Sequence, residues 1–270
     1  MKFSVPVTAY VFSPLSLTRP DDFLDAVRTF CRLLPQVRPT NWGWWEPLNQ
    51  QFDDQNLDKL IPQSGSCETV YWQRRQKPKA EGGFGIRWRS GVPTAYDTHS
   101  DVHFTVELGQ VGQEALVAYL KEASIRSRAD FAFVDALTPQ YRGFAIETEA
   151  APTGQDFLVT THLLRHWLPD VFWGTVFGPP YVRLFGKERL LTAPAYSVQE
   201  LGPETVYVQL AERLADTVED HDDVQSRRKL FKEHFQSNAF YVPGKGYDWR
   251  ERGPVGDVFD VPTFQLIEDQ

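Results

Sequence analysis

The chain has 270 residues, is 41% hydrophobic and 14% aromatic, and so can bury a sizeable core as one large domain or two small ones. Its net charge of −8 lacks the basic excess that nucleic-acid binders use against phosphates, and it steers the chain toward basic partners instead. Two cysteines and the lack of any run near 18 apolar residues exclude a disulfide scaffold and a membrane-spanning helix.

The elements follow in chain order. Met1 to Val7 is broken by Pro6 and reads as the start of a strand, Val5 to Phe12, rather than a signal peptide, so a cytoplasmic protein is expected. Pro20-Asp21-Asp22 opens a helix with acids in its first turn. Phe23, Val27, Phe30 and Leu34 recur at helical spacing until Pro35 and Pro39. Asn41 to Leu48 is a tryptophan cluster in extended or turn conformation, and Phe52 to Ile61 suits a short helix. Thr69–Gln73 and Gly83–Arg89 read as a hairpin around the basic loop Arg74–Lys79. Gly82-Gly83-Phe84-Gly85 and Phe177-Gly178-Pro179-Pro180 lack the spacing of a phosphate loop and read as turns.

Val102, Phe104, Val106 and Leu108 alternate with polar residues, as on a strand with one apolar face. Gln113 to Ser127 is a helix presenting Leu116, Tyr119, Leu120 and Ala123. Asp130–Ala136 and Gly143–Glu147 suggest a strand pair, and Phe157–Leu168 a helix stopped by Pro169. Pro179-Pro180 starts a helix that Gly186 caps. Tyr196 to Leu210 reads as two strands, and Val224 to Phe235 as a basic-faced helix. Adjacent strand pairs without βαβ alternation point to an α+β fold with a largely antiparallel sheet. Residues 1–270 are expected to form one domain, with a weak sub-boundary near 148–154.

Catalytic signals are sparse. Asp97, His99, Asp101 and His103 would share one face of an extended segment, which suits a divalent metal if a bend brings them together; the plain alternative is the solvated side of a strand. His162 and His166 lie one helical turn apart without the glutamate of zinc hydrolases. Cys31 is expected in the core and Cys67 in a turn. Ser197, Ser226 and Ser237 lack a nucleophile elbow. No enzyme and no cofactor are expected; a metal-dependent hydrolase built on the Asp/His cluster is the alternative.

Two clusters suit a binding surface. In Trp42-Gly43-Trp44-Trp45 the three indoles cannot all enter one core from an extended segment, so one is expected near the surface, where Trp anchors interfaces. Asp216, Glu219, Asp220, Asp222 and Asp223 gather acids that can begin a helix or act as a decoy for a basic groove.

The stretch Leu168-Pro169-Asp170-Val171-Phe172-Trp173-Gly174-Thr175-Val176-Phe177-Gly178-Pro179-Pro180-Tyr181-Val182, with Phe185-Gly186-Lys187 and Leu190 to Tyr196, resembles the immunity protein 52 family, or a related immunity family, of bacterial polymorphic toxin systems. Asn41-Trp42-Gly43-Trp44 and Val206 to Leu210 are similar too. The resemblance implies an α+β protein that binds and silences a cognate protein toxin, and it carries no catalytic residues. The acidic balance suits a basic toxin such as a nuclease; the oligomeric state is open.

Overall fold

The computed structural model describes residues 3–17, 19–61, 69–86, 99–136, 164, 167–235 and 238–241. These build an α+β fold on one ten-stranded sheet. The strands are β1 (Pro6–Ser13), β2 (Asn41–Gly43), β3 (Gln50–Gln51), β4 (Thr69–Arg74), β5 (Ala80–Gly85), β6 (Ser100–Glu107), β7 (Phe131–Ala136), β8 (Gly174–Phe177), β9 (Ser197–Gly202) and β10 (Thr205–Gln209). Their order is β3-β2-β4-β5-β6-β1-β7-β8-β10-β9, and each pairing is antiparallel. The helices are α1 (Pro20–Leu33), α2 (Gln113–Arg126), α3 (Pro179–Phe185), α4 (Lys187–Leu191), α5 (Asp216–Glu219) and α6 (His221–Phe235).

The N-terminal strand is the centre of the sheet. β1 is buried along its whole length between β6 and β7, and apart from Thr8 and Ser13 its buried residues are apolar on both faces. Val7, Ala9 and Val11 point into one core, while Tyr10 and Phe12 point into another. That period-2 alternation divides the molecule into two layers.

On the first face, α1 and α2 cover the sheet. Phe23, Val27 and Phe30 of α1 and Leu116, Tyr119 and Leu120 of α2 are buried. Phe30 sits at the junction, with ring centroids 5.0 Å from Trp72, 5.3 Å from Phe104 and 5.7 Å from Tyr119. On the second face, Phe131, Phe133, Phe172 and Phe177 pack beneath α3, α4 and α6. Phe133 stacks on Phe172 at 3.8 Å, and Phe177 on Phe231 of α6 at 5.9 Å. α6 inserts Val224, Arg228, Phe231 and Phe235 at helical spacing. Gly186 (φ 84°) ends α3 and begins α4, a backbone region that glycine enters without strain.

Several expectations need correction. Gly82 to Gly85 is not a turn but the second arm of the β4–β5 hairpin, which runs from Ala80 to Gly85 rather than from Gly83 to Arg89. The reason is tertiary. A Cβ on Gly82 would meet the His103 carbonyl oxygen at 2.2 Å, and one on Gly85 would meet Asp101 Oδ1 at 2.1 Å, so close approach to β6 demands glycine here. β7 lies between β1 and β8, which pair with it over Phe131–Val134. Phe52–Ile61 contains only a short 3₁₀ helix, Leu57–Leu60. Leu168 does not end a helix; it forms a parallel bridge with Phe240. The weak boundary near 148–154, Cys67, and most of the segments 143–147 and 157–168 lie outside the described residues. Among those described, no helix is long and apolar enough to cross a membrane.

Candidate functional site

The tryptophan cluster divides between core and surface. Trp42 on β2 is 4% exposed and lies opposite Trp72 of β4. Trp44 is half-buried and meets the Trp42 ring edge-on at 5.3 Å. Trp45 is 68% exposed, followed by exposed Glu46 and Pro47. The loop is held at both ends. A Cβ on Gly43 would come within 3.0 Å of the Trp45 carbonyl oxygen, and the Gln73 side-chain amide donates to the Leu48 carbonyl at 3.2 Å. One indole therefore projects into solvent from a loop anchored by the other two. A rigid aromatic presented in this way has little side-chain entropy to lose on binding.

The acidic stretch forms α5 and the first turn of α6. Asp216 accepts from the Arg213 amide at 3.0 Å and pairs with the Arg213 guanidinium at 2.5 Å, which also reaches Glu219 at 2.9 Å. Those carboxylates raise the Arg213 pKa above its ordinary value, through the hydrogen bonds from Glu219 and Asp216 and then their charge. Asp223 pairs with Arg227 at 2.6 Å. Asp220 and Asp222 are exposed and form no ion pair among the described residues. Asp222 and Asp223 face the positive end of the α6 dipole. Five acids thus reduce to two unpaired charges beside exposed Val218.

The Asp/His cluster resolves into pairs. His103 Nδ1 donates to Asp101 Oδ2 at 2.6 Å, and its ring stacks on Tyr10 at 5.1 Å. Gly83, directly opposite His103 on β5, leaves room for that ring: a Cβ there would lie 2.7 Å from His103 Cε1. Burial, followed by the Asp101 charge, lifts the Tyr10 phenol above its ordinary pKa. His99 is buried and pairs instead with Asp130, at 3.0 Å. Thus Asp101 and His103 meet, while His99 is engaged by a residue from the turn before β7. Asp97, His162 and His166 lie outside the described residues. Among the described residues, no three His, Cys, Asp or Glu side chains are grouped to hold a metal ion. The Asp101–His103 arrangement can orient an imidazole, since a carboxylate on Nδ1 holds the ring in place.

Sequence reasoning missed two charged groupings. One is the ion pair of Arg228 on α6 with Asp135 on β7, at 2% and 0% side-chain exposure. Arg228 Nε also donates to the Val171 carbonyl at 3.0 Å, and Asp135 Oδ2 accepts from the Trp173 amide at 3.0 Å. Burial pushes the Asp135 carboxyl above its ordinary pKa, against the pull of Arg228 and of the Trp173 amide. The only sequence signal was the 224/228/231/235 spacing, which places an arginine on the apolar stripe of α6. The other grouping is a set of arginines on the outward side of α1, signalled by Arg28 and Arg32 at i and i+4.

No known protein-family model matches this sequence, and no curated protein matches it. In fold it is similar to a Pseudomonas aeruginosa T6SS protein, PA0821, with a TM-score of 0.57 and 12% sequence identity, over 95% of this chain and 82% of that one. At that identity the likeness is one of fold.

Proposed function

We propose that this chain is an immunity protein that binds and neutralises a cognate toxin by direct contact, within a type VI secretion context. The observation that carries the reading is the likeness in fold to a T6SS protein across nearly the whole chain. The sequence resemblance to toxin-immunity proteins points the same way. The exposed Trp45 loop supplies an aromatic anchor, and Asp220 and Asp222, with Asp223 beside them paired to Arg227, supply charge that suits a basic toxin, a nuclease being one such partner. Trp42 and Trp44 act behind Trp45 by holding its loop, and Asp216 and Glu219 by holding Arg213.

The test is purification of the tagged chain from its native cells with its bound partner, followed by expression of that partner alone and with this chain. A near-stoichiometric partner that arrests growth alone, and not when co-expressed, supports the reading. Trp45→Ala should then weaken the complex by about 2 kcal/mol or more, roughly thirtyfold. Neutralising Asp220, Asp222 and Asp223 should slow association and flatten its salt dependence. A chain that purifies alone from cells known to make it, or a partner harmless by itself, would sink the proposal.

A further inference from the structure

The outward side of α1 carries a cleft that neither the Trp45 loop nor the acidic stretch uses. Arg28, Cys31, Arg32, Arg38, Asp54 and Leu57 line about 200 Å³ of free space. Arg28 and Arg32 are one helical turn apart, so their guanidiniums repel each other. Arg38 follows the short turn Pro35–Val37 that ends α1. Arg32 is held by Glu122 of α2 at 2.5 Å, and Arg38 pairs with Asp54. Arg28 is exposed and forms no ion pair among the described residues.

The local charge runs against the background. Three arginines and one carboxylate, Asp54, are among the lining residues, in a chain whose net charge is −8. The floor differs from the walls. Leu57 is buried, and burial pushes the Cys31 thiol up to about 12, so its sulfur is uncharged at neutral pH. Asp54 lies within a turn in which Asp53 accepts from the Gln55 amide at 3.0 Å and from Asn56 Nδ2 at 2.6 Å. Arg38 already holds one oxyanion, the Asp54 carboxylate, through a single guanidinium nitrogen.

We propose that this cleft binds a small organic phosphate, with its phosphate on Arg28 and Arg38 and its carbon portion against Leu57 and Cys31. A phosphate monoester carries about −1.5 to −2 charge at neutral pH and would add a second oxyanion to a lining of three guanidiniums and one carboxylate, in which Arg28 has no ion-pair partner among the described residues. A monocarboxylate would only repeat what Asp54 already supplies. Space of about 200 Å³ exceeds the need of a bare phosphate, and the apolar floor gives an attached carbon group a place to rest. The site is independent of the toxin-binding reading and would stand if that reading fell.

The experiment is calorimetric titration of the purified chain with phenyl phosphate, inorganic phosphate and benzoate at constant ionic strength. Saturable one-site binding of phenyl phosphate, with inorganic phosphate weaker and benzoate weaker still, is expected. Arg28→Gln and Arg38→Gln should each weaken phenyl phosphate about tenfold or more, the loss of a charge-assisted hydrogen bond. Arg75→Gln, in the β4–β5 loop, should leave binding unchanged. Arg28 is exposed, so its variant folds; without ligand it should melt slightly higher than the parent, because the repulsion from Arg32 is gone. Non-saturating heats for both phosphates, equal weakening by Arg75→Gln, or benzoate binding as tightly as phenyl phosphate would overturn the proposal. Inorganic phosphate binding as tightly as phenyl phosphate would overturn the carbon-binding half of it.

Discussion

Between α1 and α2, on the first face of the sheet, ion pairs stay at the rim: Glu122 holds Arg32 and Arg126, Arg126 holds Asp25, and each of these side chains is more than a third exposed. On the second face, Arg228 and Asp135 meet inside the aromatic core. The contrast follows from where each charge falls on its element. Arg32 and Glu122 sit on the polar sides of amphipathic helices, whereas Arg228 lies on the stripe of α6 that Val224, Phe231 and Phe235 bury. Water solvates the first set and makes each pair worth little. The second pair is buried, so each charge leans on the other and on the Val171 carbonyl and Trp173 amide beside it.

Arg228→Ala should have the largest effect, about 3–5 kcal/mol lost in urea denaturation, because the buried Asp135 would lose its guanidinium partner. Replacing both residues with apolar ones of similar size should recover most of that loss. A single-variant loss near zero would place the pair in contact with water and erase the contrast. Phe30→Ala on the first face should cost about 3–5 kcal/mol by a different route, an apolar cavity among Trp72, Phe104 and Tyr119. No double variant with a neighbouring ring should restore it.

Gly85→Ala comes next, at about 1–3 kcal/mol from crowding against Asp101. It should also shift the His103 ring resonances, since Asp101 orients that ring; an unchanged NMR signal would break the link between the glycine and the pair.

The pH dependence should have opposite signs on the two faces. Hydrogen bonds from Arg32 and Arg126 hold the Glu122 pKa below its ordinary value. Its contribution is therefore present above the unfolded carboxylate pKa, about 4.3, and fades as pH falls through the lower folded value. Asp135 is shifted upward, chiefly by burial. Its contribution is fullest below the unfolded carboxylate pKa, about 3.9, and declines as pH rises through the higher folded value. Glu122→Gln should flatten the acid limb of a stability–pH curve, and Asp135→Asn should change its slope in the other direction. The smallest effect belongs to Trp45→Ala, within about 0.5 kcal/mol of parent stability. That result would separate its surface role from a packing role.

Much of the fold was legible because burial follows period. The alternation in β6, the α1 spacing of Phe23, Val27 and Phe30, and the Leu116–Tyr119–Leu120 face of α2 each reported a real apolar face. The prolines and glycines around α3 marked its ends, since they act through local backbone geometry. Trp42 to Trp45 signalled that at least one indole leaves the core, but not which one; the pairing of β2 with β4, which buries Trp42, and the bend over 44–47 decided that.

What tertiary structure alone decided are matters of register and convergence. Gly82-Gly83-Phe84-Gly85 looks like a turn in isolation, because glycine is permissive anywhere; only the approach of Asp101 and His103 from β6 makes it a strand. His99 shares strand parity with Asp101 and His103, yet its partner is Asp130, 31 residues away in sequence. Arg228 and Asp135 are 93 residues apart, and the arginine cleft needs α1, the turn after it and the loop carrying Asp54. Sequence encodes the period of each element through the side chains it places on one face. Which faces meet depends on strand order, and strand order is set by packing between segments that carry no local trace of one another.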